Sequence, residues 1–376
     1  MAFTRAGTFA RVWLASGPGV ARPRRPDLCH RRSLDKRLCS PSSWREPVSK
    51  SAPELAKGST WSATLATAFD RESSYLWGLG YRLTGSAALA EDLVQETFVR
   101  ALRQPPRDRQ APLRPWLRRV ATNLGIDALR RRKRRPYDGP WLPEPVDTAT
   151  LCDPAADLES ASIQREGLTL GFVALLEILS PQQRAVVVLR DVLGLNVAET
   201  AAALEVGANS VKVAHHRARE RLAKATAKAP DPRCIERHRQ RLGELFAAIA
   251  VADQHRVLAL LDSEVRVVSD GGGVVRAARR VVRGAHDVSR LLIGLTRKGV
   301  PPVGISLREI NCLPAFDISY APGHARAARR AIVQGVLGVR GERFVRIDMV
   351  LSPDKMAAVE RAPWRRALMR PPTLDD

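Results

Sequence analysis

The stretch "NVAETAAALEVGANSVKVAHHRARERL", residues 196–222, restricts this chain's fold more than any other. Asn196 offers a side-chain oxygen at a helix start, and Glu199 follows three residues later. That spacing is a capping box, which satisfies amide groups a helix start leaves without partners. The first helix therefore runs from there to Leu204, and Glu205, Val206 and Gly207 break it. Val211, Ala218 and Leu222 then recur on one face of a second helix, expected over 208–223. A short helix, a tight break and a longer basic helix make a helix-turn-helix. Just upstream, in "SPQQRAVVVLRDVLG", Ser180 caps, Pro181 takes the first helical position, Gln183 closes the box and Gly194 stops the helix.

A second helical region precedes this one. One helix runs through Leu76, Leu79 and Leu83 and breaks at Thr84–Gly85. In "EDLVQETFVRAL", Ala90, Val94, Phe98 and Leu102 share a face, which Leu93 and Ala101 widen. Asp92, Gln95 and Glu96 point the other way, with Glu91 beside them. That acidic ridge reads either as a solvated face or as a docking surface for a basic or polar partner. After the loop "QPPRDRQAP", a helix from near Pro115 carries the stripe Leu117, Val120, Ala121, Leu124 and Ala128. Its opposite face holds Arg119, Asn123, Asp127 and Arg131, and it ends in the basic run 130–135.

The chain has 376 residues, which suits two or three domains. Its 61 Lys+Arg against 39 Asp+Glu leave a formal charge of +22, which favours a polyanionic partner. Aromatics are only 5%, against broad base-stacking platforms. No apolar run approaches the ~20 residues that cross a bilayer, so a soluble, cytoplasmic protein without a membrane partner is expected. Cys29, Cys39, Cys152, Cys234 and Cys312 are scattered, odd in number and lack C-x-x-C spacing; neither a metal site nor a disulfide framework follows.

Residues 1–60 are Arg-, Pro- and Ser-rich and are expected to be a disordered basic tail, or the result of a start codon assigned too early. Residues 61–135 form the first helical domain and 166–228 the second. The linker 136–165 contains "WLPEPV", whose Trp141, Leu142 and Pro143 suggest docking rather than free suspension. Residues 235–360 change to α+β character, followed by a tail at 361–376. There, "SEVRVVSDGGGVVRAARRVV" reads as two extended runs around a hairpin turn, and "VRGER" as a second hairpin turn. Asp270, Gly271, Gly272 and Gly273 do not form a phosphate loop, because no Lys-Ser/Thr follows. The fold class expected is thus mainly α, with two helical domains and a C-terminal α+β domain.

Taken together, "YRLTGSAALAEDLVQETFVRAL", "WLRRVATNLGIDALRRRKRR" and the helix-turn-helix ending "HRARERL" resemble bacterial sigma factors of the extracytoplasmic-function class, over about residues 61–228. "GPWLPEPV", "DGGG" and "SPDKM" are similar to the subgroup with a SnoaL-like C-terminal extension, to about residue 357. The resemblance implies that Asp92, Gln95 and Glu96 meet core RNA polymerase. It implies that the 115–131 helix reads the −10 promoter element, with Arg119, Asn123, Asp127, Arg130 and Arg131 on DNA; Asp127 could instead orient a neighbouring arginine. It implies that the second helix of the helix-turn-helix reads the −35 element. Ser210, Lys212 and Val213 would lie near base edges, and His216, Arg217 and Arg219 on phosphates. His215 falls on the inward face and is expected to be packed.

Trp141, Leu142, Pro143, Asp270, Gly271, Gly272, Gly273, Asp354 and Lys355 are the implied contacts through which the extension tunes the sigma core. Glu205 stands where the family often has Gly, and Gly207 is expected to absorb any strain this causes. The function expected is promoter-selective transcription initiation, with no catalytic residues, no cofactor and no metal; whether the C-terminal domain binds a small-molecule ligand stays open. Two alternatives are a helix-turn-helix regulator with a ligand-binding tail, and a SnoaL-like isomerase or cyclase. The latter would draft Asp270, His286, Asp287 and Asp317 as acid–base groups, although their spacing does not demand it.

Overall fold

The computed structural model describes residues 52–151, 168–225, 235–298, 300–323, 326–338 and 342–360. The tail up to residue 51, linker residues 152–167 and the tail from residue 361 lie outside the described residues. Cys312 is the described cysteine, and it is buried.

Helix α1 spans Ala52–Thr84, so helix already occupies residues 52–60, which the sequence assigned to the tail. Gly85 ends it at φ +69, and Ser86 caps α2, Ala87–Arg103, by accepting from the Leu89 amide. Helix α3 is Leu113–Lys133. Leu76, Leu79, Leu83, Phe98 and Leu117 pack these three together. Beyond the linker come α4, Leu170–Leu175, and α5, Pro181–Val187. The capping box of Ser180 and Gln183 forms as the spacing predicts. Helix α5 then widens into a π-helical turn, Val188–Val192, before Gly194 at φ +70. The sequence reading had no sign of that turn.

Helices α6, Val197–Leu204, and α7, Ala208–Ala225, complete the helix-turn-helix, with the second capping box formed by Asn196 and Glu199. One apolar cluster contains Leu76, Leu117, Leu176, Val186 and Val211, so the two helical regions share a continuous core.

The C-terminal part begins with α8, Ile235–Ala250, and α9, Gln254–Leu260, separated by a turn in which Ala252 takes φ +55. Six strands follow: β1 Leu261–Asp270, β2 Val282–Arg283, β3 Pro302–Ile310, β4 Leu313–Tyr320, β5 Arg330–Leu337 and β6 Phe344–Val350. Helix α10, Ala285–Lys298, lies between β2 and β3. The sheet order is β2-β1-β6-β5-β4-β3, with β1 and β6 parallel and the other pairs antiparallel.

Alternation along each strand divides the sheet's two faces. On β5, Ala331 and Val333 pack among Phe246, Val288 and Leu292 of the covering helices. Ile332 faces the other way, with Leu142 of the linker and Leu170 of α4. β5 and β6 pair antiparallel on either side of "VRGER", and its residues 339–341 lie outside the described residues. The "DGGG" hairpin does not form. β2 pairs with β1 only at Arg266↔Arg283 and Val267↔Val282, and residues 271–281 form a wide loop instead. A Cβ at Gly272 would collide with Ser352, so this glycine lets the loop close on a distant segment and not on its own strand.

Leu117 has no solvent exposure where α1, α2 and α3 meet. Leu117→Ala is expected to lower stability by ~2–5 kcal/mol, measured as a shift in urea midpoint at unchanged slope.

Candidate polymerase and nucleic-acid interface

The acidic ridge sits on α2. Asp92, Gln95 and Glu96 are exposed, while Leu93, Val94 and Phe98 are buried behind them. Arg100 pairs with Glu96 at 2.9 Å across one helical turn, so the ridge is less acidic than a count of carboxylates suggests. Linker residue Glu144 sits over the start of α2. Its carboxylate accepts from Ser86 Oγ at 2.6 Å and from the Ala87 amide at 2.8 Å. An anion there complements the partial positive charge of a helix N-terminus.

On α3, Asp127, Arg130 and Arg131 are exposed and Arg119 and Asn123 half-buried. Arg130 pairs with Asp127 at 3.1 Å. A cavity of about 590 Å³ opens beside this face, lined by Arg100, Arg107, Trp116, Arg119 and Asn123, with Glu205 at its edge. Glu205 lies 3.6 Å from the Arg119 guanidinium and 3.5 Å from Asn123 Nδ2. The basic run 130–135, expected to grip a DNA backbone along its length, is divided. Arg132 donates to Thr84 O at 2.6 Å, stacks 4.0 Å over the Trp141 ring and pairs with Glu177. Lys133 donates to Leu179 O at 2.6 Å. Arg132 is half-buried, and Lys133 stays exposed while its ammonium reaches the second helical region.

Glu177 also pairs with Arg184, whose side chain is 1% exposed. Burial pushes Arg184 down to about 10 and does the same to Arg82. Burial alone would raise the Glu177 carboxyl, yet Arg184 and Arg132 hold it below the usual range. A buried charge persists only with such partners.

In the helix-turn-helix, Ser210, Lys212, Val213, His216, Arg217 and Arg219 are all exposed along α7. Val213 is 41% exposed, an apolar side chain facing solvent beside cations. His215 turns inward, as its place on the Val211 face predicts, and meets Asp191 at 2.7 Å. The π-helical turn carries Asp191 there. Glu205 itself takes φ +54 and ψ +42, and Gly207 is not among the positive-φ residues. The strain expected at Gly207 therefore falls on Glu205.

The linker is bound to the sheet at one buried carboxylate. Asp270, at the end of β1, has no exposure. It accepts from Tyr137 Oη at 2.5 Å, the Leu142 amide at 2.7 Å, Lys355 Nζ at 2.6 Å and the Gly272 amide at 3.0 Å. Lys355 also donates to Leu142 O at 2.5 Å and lies 4.4 Å over the Trp141 ring. Its ammonium is pushed below the usual lysine range by burial and partly restored by Asp270. Pro143 is buried, Gly273 borders Asp138, and a Cβ at Gly271 would collide with Val275 O. Asp354 is exposed and lies outside this cluster, since the single 3-10 turn Pro353–Lys355 sends the two side chains in different directions. Of the acid–base candidates, Asp317 is tied to Arg330 at 2.7 Å and Arg308 at 3.2 Å, while His286 and Asp287 are exposed on α10. The structure does not bring Asp270, His286, Asp287 and Asp317 together.

The Sigma-70 region 2 model matches residues 68–135, and the Sigma-70, region 4 model matches residues 170–222. The ECF RNA polymerase sigma factor SigJ of Mycobacterium tuberculosis is 33% identical over 275 residues, covering 72% of this chain and 78% of that relative. This chain belongs to the ECF RNA polymerase sigma factors. SigG of the same species is 34% identical over 241 residues, 59% of this chain and 62% of its own length. The crystal structure of M. tuberculosis SigJ aligns at a TM-score of 0.62 and 28% identity, covering 78% of this chain and 99% of that one. This sigma factor is thus of the subgroup whose helical domains are followed by a SnoaL-like body with a mixed sheet. Among the described residues no helix is long and apolar enough to cross a membrane.

Several contacts in this sigma factor were invisible to sequence reasoning. The tip of the β3–β4 hairpin, Asn311–Cys312, enters the seam between region 2, the linker and region 4. Asn311 Oδ1 accepts from the Val146 amide at 2.9 Å, and its Nδ2 donates to Tyr81 Oη at 2.8 Å and Leu168 O at 2.7 Å. Cys312 joins the helical core. Both residues take positive φ, 49° and 64°, as a two-residue hairpin turn of the primed type requires. Asn-Gly would suit such a turn better, but glycine would leave the core unfilled. The unusual "INCL" was the one visible signal.

Lys355→Met should strand the Asp270 charge and cost ~3–5 kcal/mol. Adding Asp270→Asn should recover part of that loss, because no buried charge then remains. Thermal melts of the two variants against the parent check both statements.

Proposed function

We propose residue-level roles for this sigma factor and a regulatory role for its C-terminal body. Asp92, Gln95 and Glu96 on α2 dock on core RNA polymerase. Arg119, Asn123, Asp127, Arg130 and Arg131 on α3 engage the −10 element. The groove beside Trp116 receives an unpaired base, with Asn123 reading its edge and arginines holding phosphate. Ser210, Lys212 and Val213 contact −35 base edges from the major groove, where Val213 suits a thymine methyl, and His216, Arg217 and Arg219 hold phosphates. The observation that carries this reading is that the α2 ridge and the outer face of α7 are both open to partners on a chain whose helical regions match sigma regions 2 and 4.

The C-terminal body acts by holding, not by catalysis. It grips the linker between the two promoter-reading regions through Trp141, Leu142, Pro143, the Asp270–Gly273 loop and Lys355. Asp354 is left out of that group on its exposure. Support for a non-catalytic role comes from the acid–base candidates, which stand apart or are neutralised by arginine. The cavity next to the Gly-rich loop, about 170 Å³, is smaller than the ~300–1,000 Å³ of ordinary ligand pockets.

Asp92→Lys with Glu96→Lys should reduce co-purification with core polymerase by roughly tenfold or more, since like charges facing each other across an interface cost several kcal/mol. Circular dichroism should be unchanged, because both side chains are exposed. Unaltered association would exclude the ridge as the docking surface. The regulatory role is tested in the full-length protein, since cutting off the body would also remove Asn311 and Cys312 from the helical core. Asp270→Asn with Lys355→Met, in protein that still melts cooperatively, should raise promoter-directed transcription several-fold at limiting core polymerase. Equal output would remove the regulatory role and leave the sigma activity standing.

A further inference from the structure

We infer that Glu205 of the region 4 module serves as an internal stand-in for DNA, masking the −10-reading face of α3 in the free chain. The inference rests on the reading of α3 given above and adds to it the partner that this face holds before promoter DNA arrives.

The first observation is chemical. Arg119 and Asn123 are the half-buried members of the reading face, and both are directed at the Glu205 carboxylate, at 3.6 and 3.5 Å. A phosphate offers arginine the same acceptor, and a base edge offers asparagine one. Glu205 also borders the groove of about 590 Å³ that runs beside these side chains. It stands where an incoming strand would have to pass.

The second observation is conformational. Glu205 is the C-cap of α6 in the left-handed region, a position that glycine or asparagine ordinarily fills. This chain uses glycine at comparable helix ends, Gly85 after α1 and Gly194 after α5. At the turn facing α3 it places a side chain against its backbone preference, as it also does with Ala252 after α8. Unlike the methyl of Ala252, the side chain carried here is a carboxylate with two partners on α3.

The third observation is one of distance. Elements centred near −10 and −35 lie roughly 85 Å apart along B-DNA, at 3.4 Å per base pair. The turn between the −35-reading helices touches the −10-reading helix, so the two cannot reach both elements at once in this arrangement. Meanwhile the α2 ridge and the outer face of α7 are exposed. The closed form can therefore still meet polymerase. The Glu205 side chain is 60% exposed and Arg119 41%, so the contact is weak and salt-sensitive. That suits a contact that must release. The half-buried Arg132–Glu177 pair and the Arg184 donation to Arg82 O at 3.0 Å hold the same seam more firmly.

The test compares the full-length chain with Glu205→Gln, Glu205→Gly and Glu264→Gln. The first removes charge and keeps the backbone cost; the second removes both. The third removes an exposed carboxylate elsewhere. The probe is a fluorescent single-stranded DNA of mixed sequence at low salt, with small-angle scattering as an independent measure of compactness. Both Glu205 variants should bind roughly two- to fivefold tighter than the parent, the range an exposed ion pair supports, while compactness, set by the shared apolar core, should stay as in the parent. The gap should close at high salt, and Glu264→Gln should match the parent.

Parent-like binding of Glu205→Gln would overturn the inference. So would an equal gain from Glu264→Gln, which would mark a net-charge effect. Promoter-directed transcription with core polymerase, run on the same proteins, keeps the outcomes separate. A parent that transcribes while the Glu205 variants behave identically to it defeats only the mask; a parent that does not transcribe defeats the reading of α3.

Discussion

A carboxylate with no solvent exposure organises the chain. Asp270 collects hydrogen bonds from a tyrosine, a lysine and two backbone amides, and these donors come from the linker, its own loop and the segment after β6. An ionised group away from water is costly unless its acceptor positions are filled. Here they are filled only if the linker lies against the sheet and the segment after β6 folds back. The same carboxylate therefore couples three remote parts of the sequence. Its consequences extend into region 2, because Trp141, under Lys355, also stacks on Arg132 and fills the space that the absent Cβ of Gly85 leaves.

Cations in this chain have two destinations. Its +22 charge points to nucleic acid, yet Arg132, Lys133 and Arg184 reach across to hold the helical regions together. At the end of α3, Arg130 and Arg131 stay exposed, Arg132 is half-buried in the seam, and Lys133 is exposed but reaches Leu179 O. A charge run on a helix cannot be assigned to one partner as a block, because successive residues point about 100° apart. The β3–β4 tip adds a second tie, with Asn311 bonded to Tyr81, Val146 and Leu168 at once. The extension is consequently part of the helical core and not an appendage to it.

The legible features were those that depend on near neighbours. Capping boxes at Ser180 and Asn196, the glycine stops at Gly85 and Gly194, and the apolar stripes of α2, α3 and α7 all involve residues within a few positions of each other; Leu102, expected on the buried face of α2, is instead 46% exposed, since the helix ends at Arg103 and its last turn is only partly covered. The inward turn of His215 is also local, although its partner Asp191 was out of view, because a π-helical turn has no local signature comparable to a cap. The Asp270–Gly273 turn misled for the opposite reason. Glycines after a strand suit a tight hairpin, but they equally suit a loop pressed against another segment, and only Ser352 and the linker decide between the two. The candidate sites on α2, α3 and α7 were named from the sequence through its family resemblance, while Tyr137, Glu144, Glu177, Asn311 and Cys312 were not, since their partners lie far along the chain.

By itself, then, the sequence determined where most helices cap and stop and that two helical regions are followed by an α+β region, but not that the first helix reaches back to Ala52. Periodicity and capping are short-range, and each is complete within one or two turns. Tertiary structure alone decided which charges face solvent, which carboxylate binds the linker, and that the face of α3 meets the turn before α7. Those outcomes depend on burial, and burial is defined only when segments distant in sequence exclude water from one another.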